Sequence, residues 1–133
     1  MMTERRILIV DGDDTLLGVL DEQLQLLEGF LTTTTGTAKE CLALAKTDYF
    51  DVILLGLGLP DMDGREAFRL MRQNGVTSPI LLLIDVNTDA DTILELDVGA
   101  NDRITKPFRL GVLLARLRAH ISQSDRSDDV MLS

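Results

Sequence analysis

The chain has 133 residues, enough for one domain with one hydrophobic core, and its 45% hydrophobic and 26% charged residues are ordinary for a globular protein. No apolar stretch approaches the roughly 18 residues of a membrane-spanning helix, and a net charge of -9 argues against nucleic-acid binding through the overall field of this chain. One cysteine, Cys41, and one histidine, His120, exclude an intramolecular disulfide and a thiolate zinc cluster. The first residues do not resemble a signal peptide, so we expect a cytoplasmic location.

Five short apolar or β-branched runs predict five β-strands. Three of them are continuous apolar runs, which is typical of strands buried on both faces. The second is rich in threonine and predicts a more exposed strand, and the fifth is weak. The predicted strands cover residues 7–10, 30–35, 52–55, 80–84 and 103–105.

Segments with helical periodicity separate and follow these strands. Asp13 or Asp14 is placed to cap the first helix, and Thr37 with Glu40 forms a capping box for the second. The third helix is predicted over residues 65–74 and the fourth over residues 88–98. The apolar stripes of the first and fifth helices are Leu16, Leu20, Leu24 and Leu27, and Leu110, Leu113, Leu114, Leu117 and Ile121.

The strict alternation of strands and helices predicts an α/β fold, a doubly wound parallel sheet with helices on both faces. In such sheets ligands bind beyond the carboxyl ends of the strands. Two of the predicted strands lead there into charged residues, because Val10 is followed by Asp11 and Thr105 by Lys106. These two residues are therefore the first candidates for a functional site.

Four motifs, in this order and spacing, resemble the receiver domain of two-component response regulators over residues 5–122. They are Ile7–Asp11, Leu59–Gly64, Gly99–Asp102 and Ile104–Phe108. The run Lys106–Phe108 followed by Leu113–Arg116 is most similar to the OmpR/PhoB-like branch, whose members carry a C-terminal winged-helix DNA-binding domain. The resemblance implies a flavodoxin-like (βα)5 fold with strand order 2-1-3-4-5.

The resemblance also implies a phosphoryl transfer onto an aspartate with the help of Mg²⁺. In the family, an aspartate at the end of the third strand is the nucleophile. Two acids after the first strand and a backbone carbonyl after the third hold the metal. A serine or threonine after the fourth strand and a lysine after the fifth bind the phosphoryl oxygens, and an aromatic residue near that lysine acts as a switch.

Most of this set is missing when it is carried over position by position. Asp11, Lys106 and the carbonyl of Gly58 remain, whereas the other positions hold Gly12, Gly56, Ile84 and, at the switch, Arg103. Glycine has no side chain to phosphorylate, and one carboxylate is a poor Mg²⁺ site. We therefore expect a pseudo-receiver that is not an enzyme, has no catalytic residue, and binds no Mg²⁺, other metal or cofactor.

The other acids near this edge have simpler interpretations than a relocated phosphorylation site. We expect Asp13 or Asp14 to cap the first helix, Asp63 to cap the third, and Asp61 and Asp85 to be solvated. Asp11 and Lys106 are expected to form a hydrogen-bonded ion pair across the emptied site. Cys41 is expected to be a packed thiol and His120 a surface residue, and we expect Arg103 to point outward.

The face formed by the fourth helix, fifth strand and fifth helix makes two-fold dimers in the winged-helix branch. The corresponding charged residues are Asp97, Asp102, Arg116 and Arg118, so the resemblance implies a homodimer through this face. Residues 1–122 are expected to form the receiver domain. Residues 123–133 are expected to be a linker and the first-strand stub of a missing C-terminal domain, through which alone DNA would be bound.

The predicted function is a phosphorylation-independent receiver that mediates dimerisation and regulates an attached winged-helix transcription factor domain. Two alternatives stay open: a receiver phosphorylated at a non-standard aspartate, and a stand-alone signalling adaptor. A domain that senses a ligand in the vacated site is a third possibility, but no glycine-rich phosphate loop follows the first strand. No membrane contact is expected.

Overall fold

The computed structural model describes residues 4–97 and 99–132, with residues 123–132 described by their backbone only. Five strands alternate with five helices along the chain. Their bounds are β1 Arg6–Val10, α1 Asp14–Glu28, β2 Leu31–Thr35, α2 Ala38–Thr47, β3 Val52–Gly56, α3 Gly64–Gln73, β4 Ile80–Asp85, α4 Ala90–Asp97, β5 Asp102–Lys106 and α5 Leu110–Leu132.

The strands form one parallel sheet in the order β2-β1-β3-β4-β5, which confirms the predicted flavodoxin-like topology. The register pairs Val10 of β1 with Leu55 of β3. Asp11 consequently follows the end of β1 beside Gly56, the last residue of β3. The same register pairs Asp85 of β4 with Lys106 of β5, so the candidate residues gather at one edge of the sheet.

Two apolar clusters cover the two faces of the sheet, as the doubly wound prediction requires. Helices α1 and α5 pack on one face, where Leu20, Leu24 and Leu117 are almost fully buried. Helices α2, α3 and α4 pack on the other, around Cys41, Met71 and Leu96. Burial on both faces explains why β1, β3 and β4 are continuous apolar runs.

The apolar stripe of α1 differs by a few positions from the predicted one. Leu17 is buried, whereas Leu27 is 55% exposed. The reason is that Leu27 lies in the last turn, just before Gly29 ends the helix in a left-handed conformation with φ of 66°. The stripe that faces the sheet is therefore Leu17, Leu20 and Leu24, with Leu16 at its side.

The ends of α4 and α5 also differ from the predicted ones. The fourth helix begins at Ala90 rather than at Thr88, and Val98, its predicted last residue, lies outside the described residues. The fifth helix continues through Leu132, where a linker and a strand stub were expected. Residues 122–132 contain neither glycine nor proline, so nothing in this segment breaks the helix.

Among the described residues, no helix is both long and apolar enough to cross a membrane.

Candidate functional site

Asp11 occupies the centre of the candidate site, directly after the buried strand β1. Its side chain is only 3% exposed, and its Oδ2 accepts a hydrogen bond from Lys106 Nζ at 2.6 Å. Its Oδ1 accepts a second hydrogen bond, from the Asp13 backbone N–H at 2.9 Å. The predicted ion pair is thus confirmed, and both oxygens of the buried carboxylate have a partner, which a buried charge requires.

The space next to Gly56 is filled by this same carboxylate. A Cβ atom built on Gly56 would lie 2.2 Å from Asp11 Oδ2 and 2.7 Å from Asp11 Cγ. Real Cβ atoms do not approach other heavy atoms so closely. Asp11 therefore stands in the place from which the side chain of a nucleophile at position 56 would extend.

Backbone fills the corresponding space next to Gly12. A Cβ atom on Gly12 would lie 2.3 Å from the carbonyl oxygen of Gly58. This carbonyl belongs to the loop that connects β3 and α3. The two glycines that replace the family's acids thus permit close approaches of Asp11 and of this loop, and neither leaves an open cavity.

The donor set does not fit Mg²⁺. This ion requires nearly octahedral oxygen coordination and gives up water reluctantly. Asp11 is the only carboxylate among the carried-over positions, and its oxygens are already bound by Lys106 and by the Asp13 backbone. Among the described residues, no group of three or more histidines, cysteines, aspartates or glutamates is arranged to hold a metal ion.

The two remaining carried-over positions, Ile84 and Arg103, lie in different environments. Ile84 is 2% exposed and belongs to the apolar cluster beneath α2, α3 and α4, so the hydroxyl position of the family has become part of the core. Arg103 is exposed and forms an ion pair with Asp97. The prediction that Arg103 points outward is confirmed, because its charge is paired at the surface of the domain.

The acids around the site mostly cap helices, as predicted. Asp13 accepts hydrogen bonds from the N–H groups of Thr15 and Leu16 at the start of α1. Asp63 caps α3 through the Arg65 N–H, and the Arg65 guanidinium lowers the pKa of Asp63 below its ordinary value. Asp85 is exposed, in agreement with the prediction.

Asp61 corrects one of these predictions. It is exposed, but it is not simply solvated, because its two oxygens accept hydrogen bonds from the N–H groups of Ala38 and Lys39 at 2.8 and 2.9 Å. These bonds lower the pKa of Asp61. The carboxylate is a second cap for α2, supplied by a distant loop, and it attaches that loop to the helix.

The charged face of α4, β5 and α5 has three of its four predicted residues together. Asp97 pairs with Arg103, and Asp102 accepts hydrogen bonds from Arg116 at 2.8 and 3.0 Å. Arg118 is not part of this group, since it pairs with Glu28 of α1. The helical spacing explains the difference, because residues two apart on α5 point to different sides.

His120 also differs from its predicted surface position. Its side chain is 13% exposed and its Nε2 lies 3.1 Å from Asp102 Oδ2. Burial raises the pKa of Asp102, but the hydrogen bonds from His120 and Arg116 outweigh that effect and the pKa lies below its ordinary value. Asp102 is thus the centre of a small polar cluster on β5.

Two exposed apolar residues on this face were missed by the sequence analysis. Leu94 of α4 is 66% exposed and Val112 of α5 is 45% exposed. Leu94 lies one turn before Asp97 and Val112 one turn before Arg116, so each shares a helix side with a charged residue of the face. The available signal in the sequence was the helical periodicity, which places Leu94 and Val112 outside the buried sides of their helices. We call the surface formed by Leu94, Asp97, Asp102, Arg103, Val112 and Arg116 the α4–β5–α5 face.

The chain belongs to the response regulator receiver domain family, whose sequence model matches residues 7–118. It is 34% identical over 130 residues to the uncharacterized transcriptional regulatory protein YkoG of Bacillus subtilis, covering 97% of this chain and 57% of that protein. It is 38% identical over 127 residues to the transcriptional regulatory protein PmrA of Pectobacterium parmentieri, with 93% and 55% covered. The cell cycle response regulator CtrA of Brucella ovis is 36% identical over 119 residues, with 90% and 51% covered. The chain therefore spans little more than half the length of these curated relatives.

Solved structures resemble the chain over nearly its whole length. The receiver domain of the Francisella response regulator 1452 superposes with a TM-score of 0.83 at 25% identity, covering 91% of this chain and 99% of that one. A structure described as adenylate cyclase from Rhodopirellula baltica superposes with a TM-score of 0.84 at 31% identity, and 98% of each chain is covered. The fold is that of receiver domains, which are signalling domains.

Proposed function

We propose that this chain is a phosphorylation-independent receiver domain, a pseudo-receiver. On this proposal it forms a two-fold homodimer through the α4–β5–α5 face and regulates the winged-helix DNA-binding part of a longer, cytoplasmic transcription regulator. The observation that carries the proposal is the position of the Asp11 carboxylate. It fills the place of a side chain at position 56 and is held there by Lys106 at 2.6 Å.

The proposed loss of phosphorylation is supported by the state of the groups that the reaction needs. Gly56 offers no nucleophile, and Lys106, the cation that would meet the phosphoryl oxygens, is bound to Asp11. Ile84 offers no hydroxyl. The donors also do not fit Mg²⁺, whose charge would be needed to neutralise the transferred group.

Phosphorylation at a non-standard aspartate remains the alternative within the same family. Asp11 is a poor candidate, because its side chain is 3% exposed and both oxygens accept hydrogen bonds. Asp13 and Asp63 cap helices. Asp85 is exposed, but the described residues around it form no group of three or more histidines, cysteines, aspartates or glutamates that could hold the metal ion that assists the reaction. We therefore favour regulation without phosphate.

Dimerisation is supported by the composition of the α4–β5–α5 face. Exposed Leu94 and Val112 supply apolar area. The charged residues around them form two acid–arginine pairs, Asp97 with Arg103 and Asp102 with Arg116. In a two-fold dimer the same patch is used by both chains, so each acid can meet an arginine of the partner. Within one chain these charges pair with each other, and dimerisation would exchange partners.

A role in transcription is supported by the names and lengths of the relatives. YkoG and PmrA are described as transcriptional regulatory proteins, and the chain covers 57% and 55% of them. The remaining part of such a protein would hold the DNA-binding domain, and the long helix α5 would lead to it. A stand-alone signalling adaptor is the second candidate if no such part follows.

The proposal is tested by exposing the 133-residue chain to a small acyl phosphate with Mg²⁺ and reading its intact mass, beside a phosphorylatable receiver domain as a positive control. We expect no added phosphoryl group. We also expect no rise in melting temperature with Mg²⁺, since an ion that bound the folded state would stabilise it. A phosphoryl adduct that disappears in Asp85→Asn would favour the non-standard aspartate and overturn the proposal.

A further inference from the structure

A cleft of about 730 Å³ opens beside Lys106 at the edge of the sheet where β1, β4 and β5 end. Three loops form its walls: the loop into α1 with Asp13, the loop into α4 with Asp85 and Val86, and the loop into α5 with Phe108. Its volume lies within the range of about 300–1,000 Å³ that is typical of sites for small molecules. The cleft lies beside the collapsed phosphorylation site, which is filled.

Part of the lining is apolar surface that the fold leaves in contact with water. Val86 is 74% exposed, and Leu16 and Phe108 are half-buried against the core cluster of α1 and α5. An exposed valine next to an aromatic ring and a leucine offers a hydrophobic wall to a ligand. Covering this wall would remove apolar area from water and favour binding.

The charges of the cleft select the sign of the ligand. Asp13 and Asp85 are exposed, and neither belongs to an ion pair within the described part of the chain. Lys106 is the cation of the cleft, but its charge is neutralised by Asp11 at 2.6 Å. The lining therefore carries two carboxylates without a cationic partner: Asp85, and Asp13, which caps α1 through the N–H groups of Thr15 and Leu16. Both attract a positive group and repel an anion.

We propose that this cleft binds a small amphipathic organic cation. The ammonium group of the ligand lies between Asp13 and Asp85, and its aromatic or aliphatic body covers Val86, Leu16 and Phe108. Such a ligand joins the three loops that surround the former phosphorylation site. It gives the domain an input that requires neither phosphate nor metal, and this goes beyond the function proposed above.

Three probes that share one ring system test the proposal: tryptamine, indole and indole-3-acetate, which are cationic, neutral and anionic. Each is titrated into the labelled 133-residue chain, and the amide proton–nitrogen correlation spectrum is recorded. We expect tryptamine to shift the amide signals of Leu16, Val86 and Phe108 in a saturable manner. Indole should bind more weakly and indole-3-acetate most weakly, because the carboxylates distinguish the charge.

Two variants test the role of the carboxylates. Asp13→Asn keeps a side chain that can cap α1, and Asp85→Asn changes an exposed residue, so both should fold. Since exposed ion pairs are weak, each variant should lower the affinity for tryptamine by about 2- to 5-fold and leave that for indole unchanged. Glu22→Gln, an exposed carboxylate of α1 outside the cleft, is the matched control and should have no effect.

The proposal would be overturned by no saturable shift with tryptamine, by equal binding of all three probes, or by unchanged tryptamine affinity in both variants. Shifts confined to signals away from the cleft would do the same. The measurement involves neither dimerisation nor phosphorylation, so its failure leaves the proposed function standing.

Discussion

At the scale of single residues, the Asp11–Lys106 ion pair makes the clearest prediction. Replacing Lys106 with methionine would leave a carboxylate that is 3% exposed without its cation. Because Lys106 itself is 23% exposed and water can partly take its place, we expect a loss of about 1–3 kcal/mol in the free energy of unfolding, below the usual loss for a fully buried pair.

Urea unfolding measures this loss. Lys39→Met is the matched control, since Lys39 lies exposed at the start of α2, and its change should stay within about 0.5 kcal/mol. Equal effects of the two variants would show that the ion pair contributes nothing beyond an ordinary surface lysine.

Gly56 makes a second prediction at this scale. Gly56→Ala places a methyl group 2.2 Å from Asp11 Oδ2, so the free energy of unfolding should fall by about 1–3 kcal/mol through overpacking. Adding Asp11→Ala removes the clashing carboxylate. The two changes should therefore couple, and the double variant should lose less than the sum of the single losses.

Gly18→Ala is the control for this cycle. Gly18 lies within α1, and a Cβ there meets nothing within 4 Å. The substitution should stabilise the protein by up to about 1 kcal/mol through helix propensity. Additive losses at positions 11 and 56 would mean that Asp11 moves away at no cost when position 56 gains a side chain.

At the scale of elements, Asp61 makes the stability of α2 depend on pH. The N–H groups of Ala38 and Lys39 hold the pKa of Asp61 below its ordinary value of 3.8. A carboxylate with a lowered pKa stabilises the folded state above the ordinary value and loses this contribution as the pH falls through the folded pKa. Asp61→Ala should therefore destabilise the protein at neutral pH.

Unfolding measured along a pH series checks this sign. The difference between the wild type and Asp61→Ala should shrink as the pH falls below 3.8, because the protonated side chain of the wild type no longer serves as an acceptor of the same strength. Glu22→Ala, an exposed acid of α1, provides the comparison. A difference that is constant with pH would contradict the role of the carboxylate as a cap.

The helices and strands also show how much of the fold can be predicted from the sequence alone. The alternation of apolar runs and helical stripes predicts all ten elements, and the doubly wound sheet follows from them. The strand order comes from the family resemblance. The Asp11–Lys106 pair was predictable because both residues follow strands that end at one edge, and burial leaves each charge in need of the other.

Contacts between distant loops were not predictable. Asp61 caps a helix that begins 23 positions before it, and no local pattern connects the two. Arg72 is similar: it donates to the carbonyl oxygens of Val76, Ser78 and Gly99, and burial lowers its pKa. The filling of the space at Gly56 depends on the approach of two strands. The helical backbone of residues 123–132 was not predicted for another reason, because a polar segment without glycine or proline is compatible with a linker and with a helix.

At the scale of the whole molecule, the proposed dimer makes the last prediction. Sedimentation over a range of protein concentrations should show reversible dimerisation, which high salt weakens because part of the interface consists of exposed ion pairs. Leu94→Glu should abolish it by placing a charge in the apolar part of the face. Arg116→Glu should weaken it by removing one charge partner of Asp102.

Leu26→Glu is the matched control for the dimer. Leu26 is a leucine of similar exposure, 70% against 66% for Leu94, but it lies on α1, outside the α4–β5–α5 face. The control should dimerise like the wild type. A chain that is monomeric at all concentrations, with no effect of Arg116→Glu, would favour the stand-alone adaptor.

The packing at Gly12 and Gly56 also bears on how this domain can change in evolution. A single base change converts some glycine codons into aspartate codons, so the genetic code is a small barrier to replacing either glycine with aspartate. The protection is structural: an aspartate at position 56 meets the Asp11 carboxylate at 2.2 Å, and one at position 12 meets the Gly58 carbonyl at 2.3 Å. An aspartate that replaces either glycine therefore costs stability before it can contribute to any chemistry.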